Sequence, residues 1–332
     1  MIYPWNRAHW VGLHARPSGL PTATLLSGPR GVGKRSFAQA LAMATLCSAR
    51  TVGAEACGTC RSCLSYAATS HPDLRFLEPA PPETAAADTD AAPASSTSSR
   101  VITVDRIRDL SSFLAMSPHY GQSKTVVIQP ADKLHLSAAN ALLKTLEEPP
   151  ARTLFILVTD RPQLVLPTIR SRCYRLDFAP PSAEIAGAWL RERGIEDAAI
   201  ALAQSGNAPL AAEQLVNEES WKRRRVLNDL LARREVDAGQ LANQISADEL
   251  PSFWGLLYRW CYDLMELRAS GSVRYNPDYI KSLGALAANM DLQRLHHFMK
   301  ELLVTGRALE HPLNPRLVCE RLAIGYARTV EI

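Results

Sequence analysis

An excess of charge of one sign is nearly absent: 37 Lys and Arg stand against 33 Asp and Glu, leaving +4 over 332 residues. A protein that binds nucleic acid unaided usually concentrates basic side chains to release counterions from phosphates. The balance here argues that any contact with DNA is shared with partners. Long apolar runs are missing too. No stretch approaches the roughly 20 residues that cross a bilayer, and Met1-Ile2-Tyr3-Pro4-Trp5 lacks the basic and then apolar pattern of a secretory leader. The expectation is a cytoplasmic protein with no membrane partner. Internal repeats are absent. From Glu78 to Ser99, Lys and Arg disappear while Ala, Pro, Ser and Thr dominate. Such a stretch cannot bury enough surface to offset its ordering entropy, and it reads as a disordered loop.

What is present is an ordinary apolar content, 47%, in a chain long enough for two or three domains. The first third alternates strand and helix: an apolar strand Ala23–Ser27, a glycine-bearing turn Gly28–Gly33, then a helix through Leu46. After the polar loop come a helix over Val104–Ala115, a strand Lys124–Gln129, a helix Ser137–Leu146 and an apolar strand Thr153–Val158. This rhythm predicts a parallel sheet covered by helices on both faces. Ala179-Pro180-Pro181-Ser182 stops the sheet pattern, and Ser182 can cap a following helix. Beyond it the chain reads as helical, with amphipathic segments at Ala183–Arg193, Ala198–Gln204, Pro209–Val216, Leu250–Leu267, Pro277–Ala288 and Leu292–Thr305. The expected organisation is an α/β domain (1–178), a small helical lid (179–218) and a helical oligomerisation domain (219–332).

Four of the seven cysteines crowd together as Cys47, Cys57, Cys60 and Cys63, with nine, two and two residues between them. In a reducing cytosol this clustering favours metal over disulfides. Four thiolates can form a tetrahedral zinc site that staples an insertion too small for a core of its own. Free structural thiols and an iron–sulfur cluster are the alternatives. His71, in His71-Pro72-Asp73, reads as part of a turn, since the cysteines already fill a metal shell. Cys173 reads as a packed small hydrophobe.

Gly28-Pro-Arg-Gly-Val-Gly33-Lys34 fits a phosphate-binding loop, in which small residues let backbone N–H groups wrap an anion and the lysine reaches terminal phosphates. Gly28, Gly31, Gly33 and Lys34 are the candidate nucleotide contacts. The next residue is Arg35, which has no hydroxyl for Mg²⁺, and Ser36 is displaced by about 100° around the helix. The strand Val126-Val127-Ile128 ends in Gln129-Pro130, where phosphoryl transfer needs acids for Mg²⁺ and water. Asp132 lies a little beyond. Productive ATP binding is not expected, and Lys34 is either a surface lysine on a relic loop or a weak phosphate contact. Glu147-Glu148-Pro149-Pro150 reads as a structural helix end rather than a catalytic pair. Lys222 to Arg225 reads as a solvated helix face or a salt-bridged subunit contact.

The run from Asn140 to Pro150 (NALLKTLEEPP), together with Ser171-Arg172-Cys173, resembles the signature of the bacterial clamp-loader AAA+ family, shared by its gamma and delta-prime subunits. The likeness extends from Tyr3-Pro4-Trp5, through the cysteines, to Asn314-Pro315-Arg316-Leu317. It implies an AAA+ RecA-like parallel sheet with a zinc-binding insertion (about 47–63), a lid and a collar domain. It also implies that Cys47, Cys57, Cys60 and Cys63 hold structural Zn²⁺, and that Arg172 projects into the ATP site of a neighbouring subunit. Gln129-Pro130 in place of Asp-Glu, Arg35 in place of Ser or Thr, and Gly206-Asn207-Ala208-Pro209 where the gamma type carries a sensing arginine all resemble the delta-prime type. The alternative is an active, gamma-type ATP-hydrolysing subunit. The implied setting is a DNA polymerase III holoenzyme, a DNA-directed DNA polymerase. Within it the chain assembles with gamma/tau and delta subunits and acts indirectly on the sliding clamp and primed DNA, without ATPase, polymerase or nuclease chemistry of its own.

Overall fold

The computed structural model describes residues 1–49, 51, 53–79, 101–120, 123–233, 235–309 and 313–330. The expected disordered loop 78–99 lies, from residue 80 onward, outside the described residues. The chain divides into two compact units, Met1–Ala179 and Pro180–Ile332.

The first unit is built on five parallel strands, β1 (Ala23–Ser27), β2 (Leu74–Leu77), β3 (Lys124–Ile128), β4 (Thr153–Thr159) and β5 (Tyr174–Asp177), in the order β2-β3-β4-β1-β5. Every residue of β1, β3 and β4 is buried, as a parallel sheet covered on both faces requires. Alternation still sorts the two faces. Leu25, Val126, Ile128, Phe155 and Leu157 join one core with α4 (Val104–Ala115), α5 (Leu136–Glu147) and α6 (Pro167–Arg172). The opposite face meets α2 (Lys34–Leu46), whose buried positions include Ala38, Ala40, Ala42 and Ala44, with Phe37, Leu41 and Leu46 as the large apolar side chains. Two shorter helices, α1 (Arg7–His14) and α3 (Arg61–Ala67), flank this framework.

Register decides where chemistry can occur. Ser27 at the end of β1 pairs with Thr159 of β4 and with Asp177 of β5. The turns leaving these three strands therefore emerge side by side at the carboxyl edge, the usual place for a ligand in an open α/β sheet.

The second unit is helical: α7 (Ala183–Arg191), α8 (Ala198–Gln204), α9 (Pro209–Asn217), α10 (Glu219–Leu231), α11 (Ala238–Asn243), α12 (Leu250–Ser270), α13 (Ile280–Asn289), α14 (Leu292–Ala308) and α15 (Pro315–Val330). Ser182 caps α7, its hydroxyl accepting from the Ile185 N–H, as Ser at this position should. The axis of the unit is α12, which buries Phe253, Leu256, Leu257, Trp260, Cys261 and Leu264, spaced as one face of a 3.6-residue helix. Removing one such fully buried leucine costs about 2–5 kcal/mol, so α12 holds a large part of this unit's stability. The segments expected as lid and collar meet within the unit: Gln204 of α8 donates to the Tyr275 carbonyl and the Asn276 side chain, each at 2.8 Å.

Candidate functional site

The turn after β1 begins at Gly28 (φ 143°) and runs through Gly31 (84°) to Gly33 (94°), all in backbone territory that only glycine enters freely. Close packing adds a second requirement at two of them. A Cβ on Gly28 would sit 2.1 Å from the Phe178 carbonyl oxygen, and one on Gly33 2.7 Å from Tyr3 and 2.8 Å from Asn6. The amino-terminal segment is laid against the turn from outside, since Trp5 Nε1 and Asn6 Nδ2 both donate to the Val32 carbonyl, at 3.0 and 2.9 Å.

Lys34, the first residue of α2, is not the surface lysine that one reading of the sequence allowed: it is 4% exposed. Its ammonium donates to the Gly28 carbonyl at 2.7 Å and the Pro29 carbonyl at 2.6 Å. It also pairs with Asp160 at 2.7 Å. Those three contacts use the three donors an ammonium has. Burial lowers its pKa, opposed by the hydrogen bond and charge of Asp160 and by the charge of Asp132. Asp132 itself accepts a 2.6 Å hydrogen bond from the Thr159 hydroxyl, whose oxygen accepts from the Arg161 N–H. Arg35 points away to the surface and pairs with Glu78 at 3.2 Å. Asp160 was not anticipated from sequence. The available signal was its place one residue beyond β4, which becomes meaningful only once β1 and β4 are known to be neighbours.

Arg172 ends α6, with its side chain 35% exposed. The guanidinium donates to the Thr168 carbonyl at 3.1 Å and the Ser171 hydroxyl at 3.4 Å and forms an ion pair with Glu147, the last residue of α5. Glu147, read from sequence as a structural helix end, thus serves as counter-ion to the candidate arginine. Cys173 joins the buried core behind it, and burial pushes its thiol up to about 12, so it is a packing group.

The four clustered cysteines converge. Cys47 follows α2, Cys57 and Cys60 lie on the intervening loop, and Cys63 is in the first turn of α3, with all four sulfurs within 4.8 Å of one another. The Cys47–Cys57 separation is 3.6 Å, while Cys47–Cys60 and Cys57–Cys63 are both 3.9 Å. Backbone N–H groups of Cys57, Cys60 and Cys63 point at the sulfurs of Cys47, Cys57 and Cys60, as they would to stabilise thiolates. The Ser48 hydroxyl and the Cys63 N–H hold Cys60 down to about 5, whereas burial pushes Cys63 up to about 12. Four sulfurs so close together can hold a metal ion.

His71 is buried near this cluster, and both of its ring nitrogens are engaged by other groups. Its Nδ1 accepts from the Asp73 N–H at 3.1 Å, and its Nε2 lies 2.7 Å from the Ser62 hydroxyl. Ser62 spends its own proton on the Leu46 carbonyl, so Nε2 is the protonated nitrogen and the ring is neutral. Three of the four basic residues in the α10 run pair within the chain. Lys222 pairs with Glu219, Arg223 with Glu249, and Arg224 with Asp278.

A family profile described as "DNA polymerase III, delta subunit" matches residues 14–182, and one described as "DNA polymerase III, delta subunit, C terminal" matches residues 218–326. The chain is 36% identical over 269 residues to the DNA polymerase III subunit delta' of Pseudomonas aeruginosa, covering 79% of this chain and 75% of that one. It is 30% identical over 343 residues to the Escherichia coli subunit of the same name, covering 95% and 97%. It is also 37% identical over 156 residues to the DNA polymerase III subunit tau of Bacillus subtilis, covering 47% of this chain and 24% of that one.

Proposed function

Because the chain belongs to the DNA polymerase III delta-prime subunit family of bacterial clamp-loader AAA+ proteins, we propose that it is the ATP-silent member of a cytoplasmic clamp-loader assembly. In this reading it joins gamma/tau and delta subunits, supplies Arg172 to a neighbour's ATP site, and takes part in placing a sliding clamp on primed DNA. The helices α7–α9 act as the lid and α10–α15 as the collar that joins related subunits.

The observation that carries the silent half of the reading is the position of the Lys34 ammonium. Its donors are spent on Gly28, Pro29 and Asp160, so a nucleotide phosphate would have to displace three short contacts to engage it. The two acids at this edge are already engaged, Asp160 by Lys34 itself and Asp132 by Thr159. The strand β3 leads into Gln129-Pro130, Arg35 has no hydroxyl, and Asp132 is tied to Thr159. Mg²⁺ binding and activation of water both need acids at this edge, and displacing such a group by a few ångströms forfeits most of its value.

For the trans-acting half, Arg172 is held at the surface by partners that are themselves partly exposed. Its pair with Glu147 is worth about 0–1 kcal/mol by the usual measure of such contacts. A neighbouring γ-phosphate carries more charge than one carboxylate and can win the guanidinium by simple exchange. An arginine so placed offsets charge developing on the transferring phosphoryl group and contributes roughly 10³–10⁵ in rate.

The sulfur cluster is read as a structural zinc site. Bonds of about 2.3 Å to a tetrahedral ion place sulfurs about 3.8 Å apart, which three of the separations match at 3.6–3.9 Å, with all four sulfurs within 4.8 Å of one another. Zinc held by Cys47, Cys57, Cys60 and Cys63 would clamp the end of α2 to the start of α3, and its role would be structural.

The test of silence is ATP binding and hydrolysis by the purified chain alone. No saturable Mg·ATP binding and no turnover are expected. Turnover abolished by Lys34→Ala would instead make this a gamma-type motor subunit.

A further inference from the structure

Resting on the reading of Arg172 given above, we propose that Glu147 is its positioning residue. Glu147 holds the guanidinium against the ends of α5 and α6, and so sets the ATP concentration at which the neighbouring site can take it.

Helix electrostatics give Glu147 no local purpose. It is the last residue of α5, where a helix presents unpaired carbonyl groups and the negative end of its dipole, so that cations are favoured and carboxylates are not. Glu148, standing before Pro149, has already left the helix with φ −123° and ψ 70°. It forms no ion pair among the described residues. The Glu147 carboxylate, by contrast, is paired across to another helix, with the residue that ends α6.

The guanidinium is held from two sides. Nη1 of Arg172 donates to the Thr168 carbonyl at 3.1 Å and to the Ser171 hydroxyl at 3.4 Å, both from α6 itself. Nη2 meets Glu147. Ile169 and Cys173 are buried and fix the backbone around Arg172, so the freedom left to this residue is that of its side chain. A phosphate that takes the guanidinium takes it from Glu147.

The γ-phosphate of ATP carries its charge before any phosphoryl group moves, so the exchange is made when nucleotide binds. A cost met equally by the bound state and the transition state alters affinity and leaves turnover untouched. Glu147 therefore raises the ATP requirement of the neighbouring site without slowing its chemistry. Exposure bounds the size of the effect. The Arg172 and Glu147 side chains are 35% and 49% exposed, and water and salt screen such a pair to about two- to fivefold in affinity.

The experiment uses a reconstituted clamp loader whose sole competent ATP site is the one facing Arg172, with hydrolysis followed against ATP concentration at low salt. Glu147→Gln keeps the shape and removes the charge. It should lower KM about two- to fivefold and leave kcat unchanged. The gain should fade as salt is raised and vanish when Arg172→Ala is added. Glu148→Gln should alter neither constant. With Arg172→Ala alone slowing the same loader, an unchanged KM in Glu147→Gln, or a fall in its kcat, would overturn the inference. So would a lowered KM that persists without Arg172, or an equal shift with Glu148→Gln. Turnover unaffected by Arg172→Ala alone would overturn the arginine-donor reading and this inference with it, an outcome told apart from the others because that variant leaves Glu147 in place.

Discussion

The ammonium of Lys34 lies 2.7 Å from the carboxylate of Asp160, with Gly28 and Pro29 completing its shell. A lysine at the head of a phosphate loop is thereby turned into a structural tie between the ends of β1 and β4. Asp160→Asn leaves the ammonium buried with a weaker third partner. Because Asp160 is 44% exposed and water can partly replace it, the expected loss is about 1–2 kcal/mol in urea unfolding. Lys34→Met removes the buried charge together with the need for its partners, and should cost less than Asp160→Asn. The reverse order would mean that the lysine is not held as described.

A buried pair of hydrogen bonds organises the helical unit. Trp260 Nε1 donates to the Tyr326 hydroxyl at 2.8 Å, and that hydroxyl donates to the Leu231 carbonyl at 2.7 Å, tying α12 to α15 and to the end of α10. Tyr326→Phe leaves one donor and one acceptor buried without a partner, each a cost of about 1–3 kcal/mol. Chemical denaturation should show a loss of at least about 2 kcal/mol, and a loss below 0.5 kcal/mol would mean that water reaches the site.

The cysteine shell predicts one equivalent of metal, released by a strong chelator with a fall in melting temperature. Cys57→Ser should lower the metal content and destabilise the first unit, since the clamp between α2 and α3 loses a ligand. Elemental analysis reads the first effect and differential scanning calorimetry the second. Metal-free protein with an unchanged melting temperature would reduce the four cysteines to ordinary packing.

His71 gives a pH dependence with a definite sign. Burial lowers its pKa, and the nearby charges of Asp73 and Cys60 only partly oppose this. The unfolded chain, with the ordinary value of about 6.5, binds the proton more readily than the folded one. Stability is therefore fully present above about pH 6.5 and is lost as pH falls from there toward the lowered folded value. In His71→Asn, which can still accept from the Asp73 N–H, the stability curve should be flatter across that window. Equal slopes for the two proteins would place the acid sensitivity elsewhere.

Much of this architecture was legible because the signals were periodic or spaced. The central strands read as unbroken apolar runs, and the helices α4, α5, α7, α8, α9 and α14 were found within a few residues of their ends. The edge strands were missed for a physical reason. Leu74–Leu77 and Tyr174–Asp177 interleave charged residues with apolar ones because each is solvated on its outer side, and four residues are too few to show a period. Of α10 only a solvated helix face at Lys222–Arg225 was legible, because its arginines pair with acids as distant in sequence as Asp278. The four cysteines were found by spacing alone. The burial of Lys34 could not be, because it depends on Asp160, over a hundred residues away and adjacent only through the strand order.

The measurement that bears most directly on the account is ATP hydrolysis by a reconstituted clamp loader containing either the wild-type chain or Arg172→Ala. Both chains should melt alike to within about 1 kcal/mol, since the Glu147 pair is a surface contact. With the substituted chain, turnover at the neighbouring site should slow by about 10³-fold or more. Unchanged hydrolysis by a correctly assembled complex would contradict the arginine-donor account and leave Arg172 a structural partner of Glu147.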